Sequence, residues 1–224
     1  MFPKTCCFCG KISKEELCDD CKNKIIYIKE PRCKKCGKPI RYKEKEYCQD
    51  CANRKFYYEQ GRSLWIHKEP VSHSIYWFKY HNRRIYSEFY AKELCRIYGS
   101  TVKRWGIDLI VPVPLHWKRR LQRGYNQSEL IARKVGKMLE IPVETKVVRR
   151  VLNTKPQKKL NDKERRRNIK EAFEVTNKGV QNRKILLIDD IYTTGSTINE
   201  ISRILCEKRQ NKVWFLTISI GQDF

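Results

Sequence analysis

The apolar positions of this 224-residue chain fall into two rhythms. Ile185-Leu186-Leu187-Ile188 is an unbroken apolar run with two β-branched members, the mark of a strand buried on both faces. Asp108-Leu109-Ile110-Val111-Pro112-Val113-Pro114-Leu115 reads as a second buried strand, ended by its prolines. Ser63 to His67 predicts a short strand ahead of Pro70. Between and after these runs the period changes to that of a helix. Ile198, Ile201, Ile204 and Leu205 share one helical face, as do Leu130, Ile131, Val135, Met138 and Leu139. Ile85, Phe89, Leu94, Ile97 and Tyr98 predict a helix from about Val71 to Tyr98, broken near Asn82. With 40% hydrophobic residues the chain can fill one α/β core and carry a small appendage.

The strand at Ile185 matters most for the residues beyond its end. Asp189 and Asp190 stand at its carboxyl end, and Ile191-Tyr192 leads into Thr193-Thr194-Gly195-Ser196-Thr197. Thr197 with Glu200 has capping-box spacing, so the helix is expected to start there. A helix N-terminus after a small-residue loop aims backbone N–H groups and a positive dipole end at one point, which suits a phosphate. The adjacent carboxylates suit ribose hydroxyls or Mg²⁺. No Gly-x-x-x-x-Gly-Lys-Ser/Thr loop occurs, which argues against ATP hydrolysis by this chain.

Residues 1–61 follow a different logic and are read as a separate unit from 62–224. Cys6-x-x-Cys9, Cys18-x-x-Cys21, Cys33-x-x-Cys36 and Cys48-x-x-Cys51 are four knuckles, each able to present two thiolates to one metal. Two knuckles complete a tetrahedron, so four predict two structural zinc ions. Sequential pairing is the simplest arrangement; a cross-braced one has the same spacing. Gly10 and Gly37 each follow a knuckle, where a left-handed turn is useful. Cys7 is read as a spare thiol, and Cys95 and Cys206 as small core residues.

The first residues contain no apolar signal region and no apolar run reaches 18 residues, so neither export nor a membrane span is expected. A reducing compartment, the cytoplasm, suits cysteines that bind metal. The formal charge is +24, from 49 basic and 25 acidic side chains. Such an excess attracts polyanions, nucleic acid first. The cations are clustered. Lys34, Lys35, Lys38, Arg41, Lys43 and Lys45 are interleaved with Tyr42 and Tyr47, a pattern for holding single strands. His116 to Gln127 is expected to be a loop at the carboxyl end of a strand, carrying Lys118, Arg119, Arg120 and Arg123. In an open parallel sheet that edge binds ligands, and it is expected to be the edge of Asp189 and Asp190. Asn153 to Lys170 is a third basic stretch, expected to be a loop leading into a short helix. His67, His73 and His81 lack metal spacing and are read as structural.

The stretch from Ile185 to Thr197 resembles the phosphoribosyl-pyrophosphate (PRPP) motif of type I phosphoribosyltransferases. That resemblance implies a parallel sheet flanked by helices, with Asp189 and Asp190 on the ribose and Thr193, Thr194, Gly195, Ser196 and Thr197 around the 5′-phosphate. Pro112-Val113-Pro114-Leu115, Arg119, Arg123-Gly124-Tyr125-Asn126-Gln127, Leu130-Ile131-Ala132, Gln157, Arg167, Asn168 and Ala172-Phe173 complete a wider pattern. Together with the double zinc ribbon it resembles the competence protein ComF family, in its ComFC-like form. The family implies a cytoplasmic protein that handles incoming single-stranded DNA, working with a ComFA-type helicase and other competence proteins. By the transferase resemblance Arg119, Arg123 and the Lys155–Arg167 stretch face the phosphates, and Mg²⁺ accompanies PRPP. The alternative is an active phosphoribosyltransferase whose acceptor the sequence does not identify. A third reading is a scaffold whose ribbons dock a motor protein.

Overall fold

The computed structural model describes residues 4–152, 169, 171–176 and 179–222. Among the described residues the elements are α1 (Asp19–Lys24), α2 (Gln49–Asn53), β1 (Gln60–Ile66), α3 (Val71–Tyr80), α4 (Tyr86–Trp105), β2 (Leu109–Pro112), α5 (Trp117–Arg123), α6 (Gln127–Leu139), β3 (Val148–Arg150), β4 (Phe173–Val175), β5 (Lys184–Tyr192), α7 (Ser196–Arg209) and β6 (Lys212–Ile220). Four parallel strands form one sheet in the order β1-β6-β5-β2. Antiparallel β3 and β4 form a separate pair.

The pleat assigns each strand residue to one of two cores. Trp214, Leu216 and Ile218 of β6, with Leu186 and Ile188 of β5, face α3, α4 and α6. Val213 and Phe215, with Ile185 and Leu187, face α7 and the β3–β4 pair. Both faces are covered, which is why β5 reads as a continuous apolar run. The predicted break near Asn82 is present: Asn82 takes φ +52 between α3 and α4.

Two expectations change. The segment His116–Gln127 is not an open loop, because Trp117–Arg123 forms α5. His116 Nδ1 accepts from the Lys118 N–H at 3.3 Å, and Gly124 closes the helix at φ +75. An arginine-rich run with few apolar positions gave no helical period to read. The capping box of Thr197 and Glu200 is not formed either. Gly195 (φ +73) is the N-cap, and α7 starts at Ser196. Glu200 instead accepts from Arg203 at 2.7 Å and from the Glu171 N–H at 3.2 Å.

The ribbons grip the sheet at β1, its edge strand. The chain at 26–28 pairs antiparallel with β1 through the Tyr27–Trp65 bridge, Ile28 N–H to Leu64 O and Ile66 N–H to Ile26 O. Cys6, Cys7, Phe8, Cys21 and Ile25 join the α3–α4 core, whereas Ile28, Cys33, Cys36, Cys48 and Tyr58 join the α7 core. Among the described residues no helix is long and apolar enough to cross a membrane.

Candidate functional site

Chemistry-bearing side chains gather at two places, the cysteine clusters and the carboxyl edge of the sheet. Cys6, Cys9, Cys18 and Cys21 place their sulfurs within 4.8 Å of one another, and so do Cys33, Cys36, Cys48 and Cys51. The pairing is therefore sequential. None of these thiols is in a disulfide. Two closed sets of four sulfurs on tight knuckles fit structural zinc. Gly10 and Gly37 turn at φ +74 and +77, as expected after a knuckle. Burial pushes the Cys6 thiol up, but the N–H groups of Cys18 and Phe8 outweigh it and bring its pKa down to about 7. A thiol held this way is ready to bind as thiolate. Cys7, Cys95 and Cys206 are pushed up by burial, to about 12, 11 and 11, and lie outside both sets.

At the sheet edge β5 delivers Asp189 and Asp190. Asp189 Oδ1 accepts from Ser128 Oγ at 3.0 Å and from the Asp190 N–H at 2.9 Å. Ser128 lies in the first turn of α6, whose N-cap Asn126 accepts from the Ser128 N–H and donates to Val113 O at 3.0 Å. The segment after β2 and the end of β5 thus meet at one edge, as expected. Burial, and then the charge of Asp190, raise the Asp189 pKa to about 7, against the pull of that N–H, Lys79 and Ser128. Asp190 Oδ1 forms an ion pair with Lys79 Nζ at 2.9 Å, both side chains largely buried. Lys79 comes from the last turn of α3.

The loop beyond is compact. Thr194 and Gly195 are buried, Thr193, Ser196 and Thr197 half-buried, and Thr194 Oγ1 shares a hydrogen bond with Ser196 Oγ at 2.8 Å. The N–H groups of the first turn of α7 open toward this loop.

Cations lead to the acidic pair in a row. Arg84 lies over the Tyr125 ring at 4.8 Å, and Arg123 over the Tyr80 ring at 4.8 Å. Arg123 also donates to Tyr80 Oη at 3.1 Å and to Gln127 Oε1 at 3.2 Å. Burial and then Arg123 lower the Arg119 pKa. Burial and then Arg119 lower that of Arg150 to about 10, while Asp189 opposes the change. The row runs from exposed Arg84 through half-buried Arg123 and Arg119 to buried Arg150. His116 feels the same cluster: burial first, then Arg150, Lys118 and Arg119, lower its pKa and keep it neutral as a helix cap.

Arg119 and Arg123 are brought to the acidic edge. The basic stretch Asn153–Lys170, with Gln157, Arg167 and Asn168, lies outside the described residues except for Ile169. Lys79 and Ser128 carry no signal in the sequence that would mark them for this site. Arg150 carries none either: β3 alternates buried, exposed, buried, but two successive arginines do not show which of them is turned inward. On the second ribbon, Lys38, Arg41, Tyr42, Lys45, Tyr47 and Arg54 line a groove of about 670 Å³, in which Asp50 pairs with Lys38 and Arg54.

Residues 1–52 match the double zinc ribbon domain family. The chain is 33% identical to competence protein F of Haemophilus influenzae over 199 residues, 87% of this chain and 86% of that protein. It is 29% identical to competence protein ComFC of Bacillus subtilis over 203 residues, 87% of this chain and 79% of that one. Over 98 residues, 44% of the chain and 43% of the relative, it is 39% identical to the DNA utilization protein YhgH of Escherichia coli K12. A crystal structure of adenine phosphoribosyltransferase overlays at a TM-score of 0.40, with 15% identity over 60% of this chain and 71% of that one. The paired ribbons, the parallel sheet they clasp and a likeness that runs through nearly the whole sequence make this chain a member of the competence protein F (ComFC) family.

Proposed function

We propose that this protein handles single-stranded DNA during natural competence, and that the strand runs along the cationic row into the loop at Thr193–Thr197. The row of Arg84, Arg123, Arg119 and Arg150 is the observation that carries this reading. It ends beside Asp189, at the sheet edge that also carries the 193–197 loop and the start of α7, rather than on open surface. Tyr76 and Tyr80 are exposed beside it and Trp117 on α5, so rings for base stacking accompany the charges. The net charge of +24 and the names of the relatives, competence and DNA utilization, point the same way. A cytoplasmic setting and a helicase of the ComFA type complete the reading; the helicase would supply the ATP hydrolysis that the lack of a Gly-x-x-x-x-Gly-Lys-Ser/Thr loop argues against here.

The test is fluorescence anisotropy of a labelled single-stranded oligonucleotide at several salt concentrations. Arg119→Ala/Arg123→Ala is expected to weaken binding and to flatten the salt slope by about 0.7 for each phosphate that is no longer neutralised. An unchanged slope would remove the row from the binding groove.

The acidic pair favours a second reading, in which the same edge takes PRPP. Asp189 and Asp190 would hold the ribose hydroxyls, the 193–197 loop the 5′-phosphate, and Arg119 the leaving pyrophosphate. Mg²⁺ bound with PRPP would neutralise charge on the pyrophosphate. A ribose hydroxyl on Asp190 Oδ1 would share that oxygen with Lys79. Calorimetry with PRPP and Mg²⁺ tests this: binding by the wild type and none by Asp189→Asn/Asp190→Asn is expected. No heat with the wild type at millimolar Mg²⁺ would leave the loop as a phosphate site for DNA alone.

A further inference from the structure

We propose that the second zinc ribbon positions the 193–197 loop, through Tyr58, Phe215 and Tyr192. The proposal rests on the loop's being the phosphate site only for its functional consequence; the coupling itself is geometric. The column begins in the ribbon. Gly37, at the knuckle, packs so closely on β1 that a Cβ there would lie 2.8 Å from Gly61 O, and the Gly61 N–H donates to Lys35 O at 2.8 Å. Gly61 has no side chain because the Phe215 ring fills that space. Phe215 stacks on Tyr192 with ring centroids 4.9 Å apart and planes 3° from parallel. The Tyr192 hydroxyl lies against Gly195, where a Cβ would overlap it.

A second line joins the same ends. Tyr58 meets Phe215 edge-on at 4.9 Å and shares a 2.8 Å hydrogen bond, hydroxyl to hydroxyl, with Tyr192. Tyr58 is fully buried and Tyr192 nearly so. The neighbouring Tyr57 N–H donates to Asn199 Oδ1 at 2.8 Å, which fixes this linker to the first turns of α7. Close-packed interiors pass on displacements because they cannot absorb them. A ribbon that lets go of β1 frees Phe215 and Tyr58, and the left-handed turn at Gly195 loses its support. Tyr58 and Tyr192 are then positioning residues, and metal in the second ribbon conditions the phosphate loop from outside the site.

Hydrogen exchange of the amides from Thr193 to Ile198, in the zinc-loaded full chain, tests the coupling. Tyr58→Phe and Tyr192→Phe each strand one buried hydroxyl, so each is expected to speed exchange at these amides about two- to tenfold. The double variant strands neither and is expected to exchange more slowly than either single variant. Gly37→Ala, made in the ribbon, is expected to accelerate the same amides. Zinc content should stay at two ions per chain in the tyrosine variants, one for each four-cysteine set. Wild-type exchange in both single variants overturns the proposal, as does equal acceleration along β5 and β6. A loop indifferent to Gly37→Ala removes the ribbon from the link. Titration with inorganic pyrophosphate separates this from the reading of the loop. Faster exchange in the single variants, with no binding by the wild type, keeps the coupling and discards the ligand. Binding with unchanged exchange does the reverse.

Discussion

The two ribbons share a motif and differ in what they touch. The first is an anchor. Phe8 meets the stacked pair Trp65 and Phe89 edge-on at 5.5 and 5.8 Å, and Ser74 donates to Cys7 O, so this knuckle is part of the main core. The second keeps Tyr42 and Tyr47 in solvent above a basic groove, and reaches the sheet through Gly37 and Tyr58. One metal-binding pattern thus serves as a hydrophobic plug on one face and as a platform on the other. The difference lies in the residues around the thiols: Phe8 is apolar and buried, whereas Arg41, Lys43, Glu44 and Lys45 are charged and exposed.

Two substitutions can break or sharpen that contrast, and a third, at the sheet edge, tests the environment of the acidic pair. The largest effect is expected from Phe8→Ala, which opens a cavity in the shared core and should cost about 3–5 kcal/mol. Urea unfolding of zinc-loaded protein measures it, and a loss under about 1 kcal/mol would mean that the first ribbon merely rests on the body. Next is Asp189→Asn, which is expected to stabilise. The folded chain holds the Asp189 proton up to about 7 and the unfolded chain releases it near 3.8. The folded state therefore binds more protons between these values, and stability falls as pH rises through this window. The variant escapes that loss, so its advantage in Tm should be small at pH 4 and larger at pH 8. An advantage that does not grow between pH 4 and pH 8 would contradict the assigned environment. The smallest effect is expected from Tyr47→Ala, within about 0.5 kcal/mol of wild type because the ring is exposed. The same variant should weaken binding of a single-stranded oligonucleotide about fivefold or more if the ring stacks on a base. Unchanged affinity would reduce the second ribbon to its positioning role.

Much of this arrangement is legible in the sequence where the pattern is local. Knuckle spacing marked all eight metal-binding cysteines while leaving their pairing open, and the run Ile185–Thr197 held strand, acidic pair, loop and helix in order. The missing parts are contacts between distant segments. Lys79 reaches Asp190 across 111 positions, and Tyr58 reaches Tyr192 across 134. No local rhythm marks such partners. The capping box failed because α7 begins one residue earlier, behind Gly195, and Glu200 takes the distant Glu171 N–H and its own helix neighbour Arg203 instead.

The place of β6 has a consequence for biosynthesis. This strand lies between β1 and β5 and pairs with both along nearly its whole length. It leaves the ribosome after both of its neighbours, so the edge of β1 that faces inward must wait while the helices and strands between them are made. Loop closure over such a separation is slow, and an unpaired strand is open to wrong partners meanwhile. The ribbons, made before β1, already cover its outward edge through Ile26 and Ile28. Loading metal early therefore leaves the nascent chain with one exposed edge of this strand instead of two.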